Sequence, residues 1–270
     1  MSDFLQTMAI SSRERAALVS DNFSSADFDR PVVPLKLDRF AVIAEIKERS
    51  PAEGDLSSAA TGNSASRSER ARIYASGGAA AISVLTEPSR FDGALAHLEE
   101  VVAAVPETPV MRKDFLVDPL QILEARKAGA SGVLLIASLL DDAALGSMLE
   151  CAWELGMFVL LETFDEDDLR QVSRLLESAT TRDRADAGQL LVGVNTRDLR
   201  TLEVDPERLR NLASLLPDAC CVAESGLLVA EDAARVASWG YNAALVGTAL
   251  MRSPEPAVLI AAMRTAGSQS

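Results

Sequence analysis

Eight short apolar runs recur along the chain, with 22 to 39 residues between the start of one run and the start of the next. Each run is continuously apolar, which is typical of a strand that is covered on both faces of a parallel sheet. The runs are Val42–Ile46, Ala81–Leu85, Val110–Arg112, Gly132–Ile136, Met157–Leu161, Leu190–Val194, Ala219–Ala223 and Ala243–Val246. They predict eight parallel strands.

Helical spacing fills the stretches between these runs. Leu120–Ala128 carries apolar residues three and four positions apart, and Asp141–Leu155 opens with acidic residues that favour a helix start. Strands that alternate with helices indicate an α/β fold, either a (β/α)8 barrel or a doubly wound sheet. No GxGxxG motif follows the first run, which counts against dinucleotide binding. The polar segment Ser178–Gln189 predicts a surface excursion.

Ionisable, amide or hydroxyl side chains follow most of the runs. In a barrel the carboxyl ends of all strands meet at one mouth, where active sites of that fold lie, whereas a doubly wound sheet spreads them along an edge. We therefore favour the barrel. The groups are Glu45 and Lys47 at the first run, Thr86 and Glu87 at the second, Lys113 and Asp114 at the third, Glu162 at the fifth, Asn195 at the sixth, Glu224 and Ser225 at the seventh and Thr248 at the eighth.

Composition excludes several classes of protein. With 40 acidic and 26 basic side chains the net charge is −14, which argues against binding to nucleic acid or to an anionic membrane surface. No apolar run approaches the length of a membrane-spanning helix, and Met1 to Arg13 does not resemble a secretion signal. Cys151, Cys220 and Cys221 do not form a disulfide framework, and with one histidine a metal site is not expected. We expect a cytoplasmic protein.

Two turns carry the candidate phosphate site. Ser225-Gly226 and Gly247-Thr248 follow the last two strands, where barrels recurrently bind phosphate through backbone amides. Such glycines can also serve only as tight turns. The hydroxyl residue beside each glycine, at matching strand ends, favours phosphate binding.

The remaining strand-end residues supply acids and bases. Lys47 and Lys113 would face Glu45, Glu162 and Glu224 across one cavity, and such groups donate and accept protons. Any one of them alone would be read as a solvated charge, but the set together indicates a catalytic site. Asn195 could bind a substrate hydroxyl or cap the next helix. Phe91 and Phe115 could stack on an aromatic substrate or pack in the core.

Several of these segments resemble the indole-3-glycerol-phosphate synthase family. In order along the chain the matching motifs are AEIKERSPAEGDL, ISVLTEPSRFDG, VMRKDFLVDPLQILEAR, LLET, LVGVNTRDLRTLEVD, AESGL and LVGTALM. The resemblance implies a (β/α)8 barrel over residues 41–265 and a helical extension over residues 1–40 that packs on it. It implies an extra helix near Ser12–Ser20, with Phe23 and Phe28 beneath the barrel.

The resemblance also implies a reaction without a cofactor or metal. The substrate would be 1-(2-carboxyphenylamino)-1-deoxyribulose 5-phosphate, which the family converts to indole-3-glycerol phosphate with loss of carbon dioxide and water. By resemblance Lys113 is the general acid of ring closure, Lys47 pairs with the substrate carboxylate, and Glu162 serves the dehydration. The other implied roles are positioning by Glu45 and Asn195, support by Glu224, a phosphate cradle of Ser50, Ser225, Gly226, Gly247 and Thr248, and a ring wall of Phe91 and Phe115. The chain would be a monomer or a weak homo-oligomer.

Three departures from the family pattern leave alternatives open. They are Phe164 in place of a histidine, Thr196 in place of an asparagine and Ala52 in place of a serine. The alternatives are a related phosphosugar enzyme, such as phosphoribosylanthranilate isomerase, and a non-catalytic barrel that binds a phosphate ligand. The Ser-, Ala- and Gly-rich segment Arg49–Ser66 predicts a mobile lid over the substrate. Lys47, Lys113 and the turn amides predict a positive mouth in an otherwise negative molecule.

Overall fold

The apolar runs form one closed barrel of eight parallel strands. A computed structural model describes residues 4–37, 39–51, 53–56, 65–199 and 203–269. Each strand pairs with the next in the chain, and the last pairs with the first, so the barrel and not the doubly wound sheet is confirmed. The strands are β1 (Ala41–Ile46), β2 (Ala81–Leu85), β3 (Val110–Lys113), β4 (Gly132–Ile136), β5 (Phe158–Thr163), β6 (Leu190–Asn195), β7 (Cys220–Glu224) and β8 (Ala243–Val246).

Four strands run one or two residues further than the apolar runs predicted. The parallel ladder continues into polar residues, so that Glu162 lies opposite Gly193 and Asn195 lies opposite Glu224. Lys113 is likewise the last residue of β3. The candidate residues on these strands are therefore held by sheet hydrogen bonds, which fixes them more firmly than loops would.

Helices precede the first strand and alternate with the strands around the barrel. They are α1 (Phe4–Ala16), α2 (Arg67–Ser76), α3 (Pro88–Phe91), α4 (Leu95–Ala104), α5 (Pro119–Lys127), α6 (Asp142–Glu154), α7 (Glu166–Leu175), α8 (Ala179–Asp186), α9 (Arg208–Asn211), α10 (Ala230–Ser238), α11 (Thr248–Arg252) and α12 (Pro256–Gly267). The predicted helices α5 and α6 are confirmed to within a residue, because Asp118 and Asp141 cap their first turns. In the described ranges no helix has the length and apolar character needed to cross a membrane.

The polar segment before β6 is not merely a surface excursion. It folds as α8, whose Thr181 and Ala185 are buried. The guanidinium of Arg184 lies over the Trp153 ring of α6, so the helix docks through one small face and a cation–π contact.

The extra N-terminal helix begins earlier than predicted. We expected it near Ser12–Ser20, but α1 spans Phe4–Ala16. Its buried positions, which include Leu5, Met8 and Ala9, recur at helical spacing well before Ser12, and that pattern sets its extent. After α1, the stacked rings of Phe23 and Phe28 lie beside two cationic side chains of α5, Lys127 and Arg126.

A buried ion pair joins α1 to the strand that carries Lys113. Arg15 donates two hydrogen bonds to Asp114, at 2.9 and 2.8 Å. Asp114 is buried and also accepts from Thr86 Oγ1 at 2.7 Å and from Arg112 at 3.3 Å. Burial opposes its charged form, but the arginines outweigh that effect and lower the pKa of Asp114.

Arg15→Ala is expected to destabilise the protein by about 2–3 kcal/mol, because a buried carboxylate loses a bidentate partner. The lowered pKa of Asp114 means that its contribution is present above the ordinary carboxyl pKa and is lost as the pH falls through the lowered value. Urea unfolding at neutral and acidic pH measures both effects. The free energy of unfolding of the variant should fall less between neutral and acidic pH than that of the native protein. Arg13→Ala, at an exposed position on the same helix, is the control. Equal stability of the two variants would contradict the prediction.

The described part of the predicted lid contains a short antiparallel hairpin. Arg49–Ser50 pairs with Gly54–Asp55, and the amide of Leu56 donates to the carbonyl of Glu48 at 2.7 Å. Ala52 and residues 57–64 of this segment lie outside the described residues. Movement of the lid stays a prediction.

Candidate active site

A cavity of roughly 340 Å³ opens at the carboxyl ends of the strands. Twelve of the thirteen predicted site residues line it, and they come from strand ends and loops all around the barrel. They are Glu45, Lys47, Ser50, Phe91, Lys113, Phe115, Glu162, Asn195, Ser225, Gly226, Gly247 and Thr248. The thirteenth, Glu224, is 1% exposed and does not line the cavity, but it contacts Lys113 and so belongs to the cluster of charged groups at its floor.

Lys113 is surrounded by three carboxylates from other strands. Its Nζ lies 3.2 Å from Glu224, 3.5 Å from Glu162 and 3.6 Å from Glu45. Burial opposes the charged ammonium, but the three carboxylates outweigh it and raise the pKa of Lys113. Lys113 therefore carries a proton throughout the neutral range.

Lys47 and Glu45 form a second ion pair at the end of β1. Lys47 Nζ lies 2.8 Å from Glu45 Oε1. Burial opposes the charge of Glu45, but Lys47 and Lys113 outweigh it and lower the pKa of Glu45. A Cβ at Gly247 would overlap the Glu45 carboxylate, so a side chain at this strand end would push the Glu45–Lys47 pair out of its present position.

Asn195 connects the charged groups of the floor to the Ser225-Gly226 turn. Its Oδ1 accepts from the Arg197 amide at 2.9 Å and from Ser225 Oγ at 2.8 Å, while its Nδ2 lies 3.2 Å from Glu162 Oε1. Ser225 has a φ of 66°, in the left-handed region that non-glycine residues rarely adopt. Such strain is found where a site over-determines the backbone.

Two arginines at the rim were not identified from the sequence. Arg197 and Arg252 line the cavity, and both lie near Glu53, at 3.8 and 3.1 Å. Arg197 stands two residues after Asn195, which was a usable signal, but nothing local marks Arg252. The carboxylates around Lys47 and Lys113 offset those two charges, and Glu53 offsets part of the charge of the arginines, so the positive mouth stays a prediction.

An aromatic wall closes one side of the cavity. The Phe91 and Phe115 rings are 6.2 Å apart and tilted, and the Phe4 ring of α1 meets Phe115 edge-on at 6.0 Å. Phe115 is buried, whereas Phe91 is half-buried. The wall is apolar and lines the same cavity as Lys47 and Lys113, so the cavity offers both an apolar surface and cationic groups.

Two of the three departures from the family pattern, Phe164 and Thr196, lie in the described residues, and neither lines the cavity. Phe164 is buried and its amide donates to Asp168. Thr196 is buried, and its amide and hydroxyl both donate to the Glu224 carbonyl. Ala52 lies outside the described residues. Within the ranges described, no three His, Cys, Asp or Glu side chains are placed to hold a metal ion.

Known proteins of one family resemble this chain along nearly its whole length. The profile of the family described as indole-3-glycerol phosphate synthase matches residues 10–263. A protein of that name from a Nocardioides species is 44% identical over 92% of this chain and 90% of its own length. One from Opitutus terrae is 37% identical over 96% of this chain and 97% of its own length.

Among solved structures, the likeness extends to the fold alone. The 3-hexulose-6-phosphate synthase from Salmonella typhimurium superimposes with a TM-score of 0.61 at 18% identity, covering 85% of this chain and 99% of that one. Sequence identity of this size carries no inference about activity. The family profile and the full-length relatives do, and the chain belongs to the indole-3-glycerol phosphate synthase family.

Proposed function

We propose that this chain is a decarboxylating carbon–carbon lyase that forms indole-3-glycerol phosphate from 1-(2-carboxyphenylamino)-1-deoxyribulose 5-phosphate. One observation carries the proposal: a protonated lysine, Lys113, stands beside the carboxylate of Glu162 on the floor of a cavity with an apolar aromatic wall. Family membership supports the same reaction.

The substrate would lie across the cavity. Its phosphate would bind at Ser50 and the two glycine turns, and its aromatic ring would pack against Phe91 and Phe115, all of which line the cavity. Its carboxylate then faces Lys47. This placement matches each charged group of the ligand with a cation or amide and the ring with the apolar wall.

In the first half of the reaction Lys113 donates a proton to the ketone oxygen. The ring carbon that bears the carboxylate bonds to the ketone carbon, and the ketone oxygen becomes a hydroxyl group. The bond to the carboxylate then breaks, carbon dioxide leaves, and the electron pair restores the aromatic ring. Preorganised charged groups on the cavity floor stabilise the charge that develops on the oxygen.

In the second half the hydroxyl group leaves as water. A lysine ammonium, Lys47 or Lys113, supplies the proton that makes it a leaving group, and Glu162 removes a proton from the neighbouring carbon. Asn195 holds Glu162 through its amide at 3.2 Å. The product is the aromatic five-membered ring.

The cysteine positions count against the isomerase alternative. That enzyme would rely on a cysteine and an aspartate at strand ends, yet none of the three cysteines, all of them described, lines the cavity. Burial raises the pKa of the Cys220 thiol to about 12, which is the opposite of activation. The non-catalytic alternative predicts ligand binding without turnover.

Turnover of the purified chain tests the proposal. Near-ultraviolet absorbance should rise as indole forms from the anthranilate-type substrate, without any added cofactor. Tight binding of a phosphate-bearing substrate analogue with no absorbance change would instead support the non-catalytic barrel. We also propose a cytoplasmic location and a monomer or weak homo-oligomer; the free thiols of all three cysteines fit a reducing compartment.

A further inference from the structure

The described part of the cavity floor holds more acids than bases. Glu45, Glu162 and Glu224 face Lys47 and Lys113, and their contacts run from 2.8 to 3.6 Å. Glu45 is matched by Lys47, which leaves Lys113 to serve two further buried carboxyl groups. An excess negative charge in so buried a cluster is costly, and a bound proton removes that cost.

The hydrogen-bond donors show which carboxyl group takes the proton. Asn195 Oδ1 accepts from a backbone amide, that of Arg197, which can only donate, so the orientation of the side-chain amide is set. Its NH₂ group then donates to Glu162 Oε1, while Lys113 lies at Glu162 Oε2. Both oxygens of Glu162 therefore act as acceptors, as in an ionised carboxylate.

Glu224, in contrast, has a donor within the described ranges at only one of its two carboxyl oxygens. Its Oε2 accepts from Lys113 at 3.2 Å. Its Oε1 is buried, and none of the described residues donates a hydrogen bond to it. That oxygen packs where a Cβ of Gly193 would stand, so the backbone of β6 leaves space for a carboxyl group and supplies no donor.

We propose that Glu224 is held as a neutral carboxylic acid that donates its proton to Glu162, and that it thereby positions Glu162 as the ionised base. With Glu224 neutral, two carboxylates face two ammonium groups and the floor is balanced. Glu224 does not line the cavity and acts through Glu162, so it is a positioning residue and not a substrate ligand.

The electrostatics of the site agree with this assignment. Burial and then repulsion from Glu162 raise the pKa of Glu224 to about 8, against the opposing effect of Lys113. The charged groups that face it are Lys113 of β3 and Glu162 of β5, with Glu45 of β1 on the far side of Lys113. Neutral Glu224 persists at neutral pH and is lost in mild alkali.

A titration that needs no substrate tests the charge state directly. In protein labelled with ¹³C at the glutamate carboxyl carbon, the Glu224 signal is assigned by its absence from Glu224→Gln. We expect that signal to titrate near pH 8, several units above an exposed glutamate. A midpoint in the ordinary carboxyl range would overturn the proposal, whatever reaction the protein catalyses.

Kinetics test the positioning role, and this arm rests on the proposed function. Glu224→Ala should lower kcat about a hundredfold or more, and Glu224→Gln, a neutral isostere, should recover all but about tenfold of the loss. The native enzyme should lose activity above about pH 8, and Glu224→Gln should lack that decline. A glutamine variant as poor as the alanine variant would show that the ionised form is required and would overturn the proposal. Absence of turnover in the native protein would instead contradict the proposed function and leave the titration as the deciding result.

Discussion

Replacing Lys113 by methionine is expected to lower kcat about 10²- to 10⁴-fold, the range that a positioned general acid contributes. Methionine keeps most of the length and apolar stem of lysine and removes only the ammonium group. Since Lys113 Nζ contacts carboxylates from three other strands, the variant also loses the cation that holds them together. Stopped-flow absorbance of indole formation measures the loss.

The matched control is Lys127→Met, the same replacement at an exposed lysine on α5 that pairs with Asp27. It should keep the native rate, because surface pairs of this kind contribute little. Unfolding in urea distinguishes a catalytic loss from a folding defect in the Lys113 variant. A folded Lys113→Met enzyme with native kcat would remove this lysine from the mechanism.

Glu162→Gln is expected to cost about 10²- to 10⁴-fold in the rate of indole formation, because the neutral amide cannot accept the proton lost during dehydration. Glutamine is the same size, but its single acceptor oxygen can accept from Asn195 or from Lys113 and not from both, so the urea-unfolding midpoint is compared with that of the native protein. Ring closure and decarboxylation, which depend on Lys113, should be affected far less.

Single-turnover measurements separate the two halves of the reaction. In the Glu162→Gln enzyme carbon dioxide should be released ahead of indole, with a hydroxylated intermediate accumulating between them. In the native enzyme the two products should appear together. Equal slowing of carbon dioxide and indole would mean that Glu162 acts at or before decarboxylation, which contradicts its assigned role.

Much of the fold follows from local pattern. Continuous apolar runs such as Gly132–Ile136 predict buried parallel strands, and that strand has the predicted bounds. The last residues of the strands were harder to predict. The apolar run stops before polar residues such as Asn195, but the hydrogen-bonded ladder continues into them. The start of α1 was missed because the apolar positions Leu5 and Met8 are few and are buried by a barrel distant in sequence.

Much of the candidate site was predictable for a related reason, since strand order brings the residues after each run to one mouth. How deeply each residue lies within the mouth could not be predicted from the sequence. Glu224 follows its apolar run just as Glu162 does, yet Glu224 is closed off from the cavity and Glu162 lines it. Arg252 was missed because its position at the end of α11 depends on how the chain turns after β8.

Glu45, Lys113, Glu162 and Glu224 come from β1, β3, β5 and β7, which are alternate strands of the barrel. Barrel interiors are filled by layers of four side chains from alternate strands, so this catalytic floor is the uppermost layer of the core with its apolar residues exchanged for charges. Its members should then behave as one unit, and double-mutant cycles among them should be strongly non-additive. The layers beneath need not change with it, so a barrel of this kind can acquire new chemistry by replacing one ring of four residues.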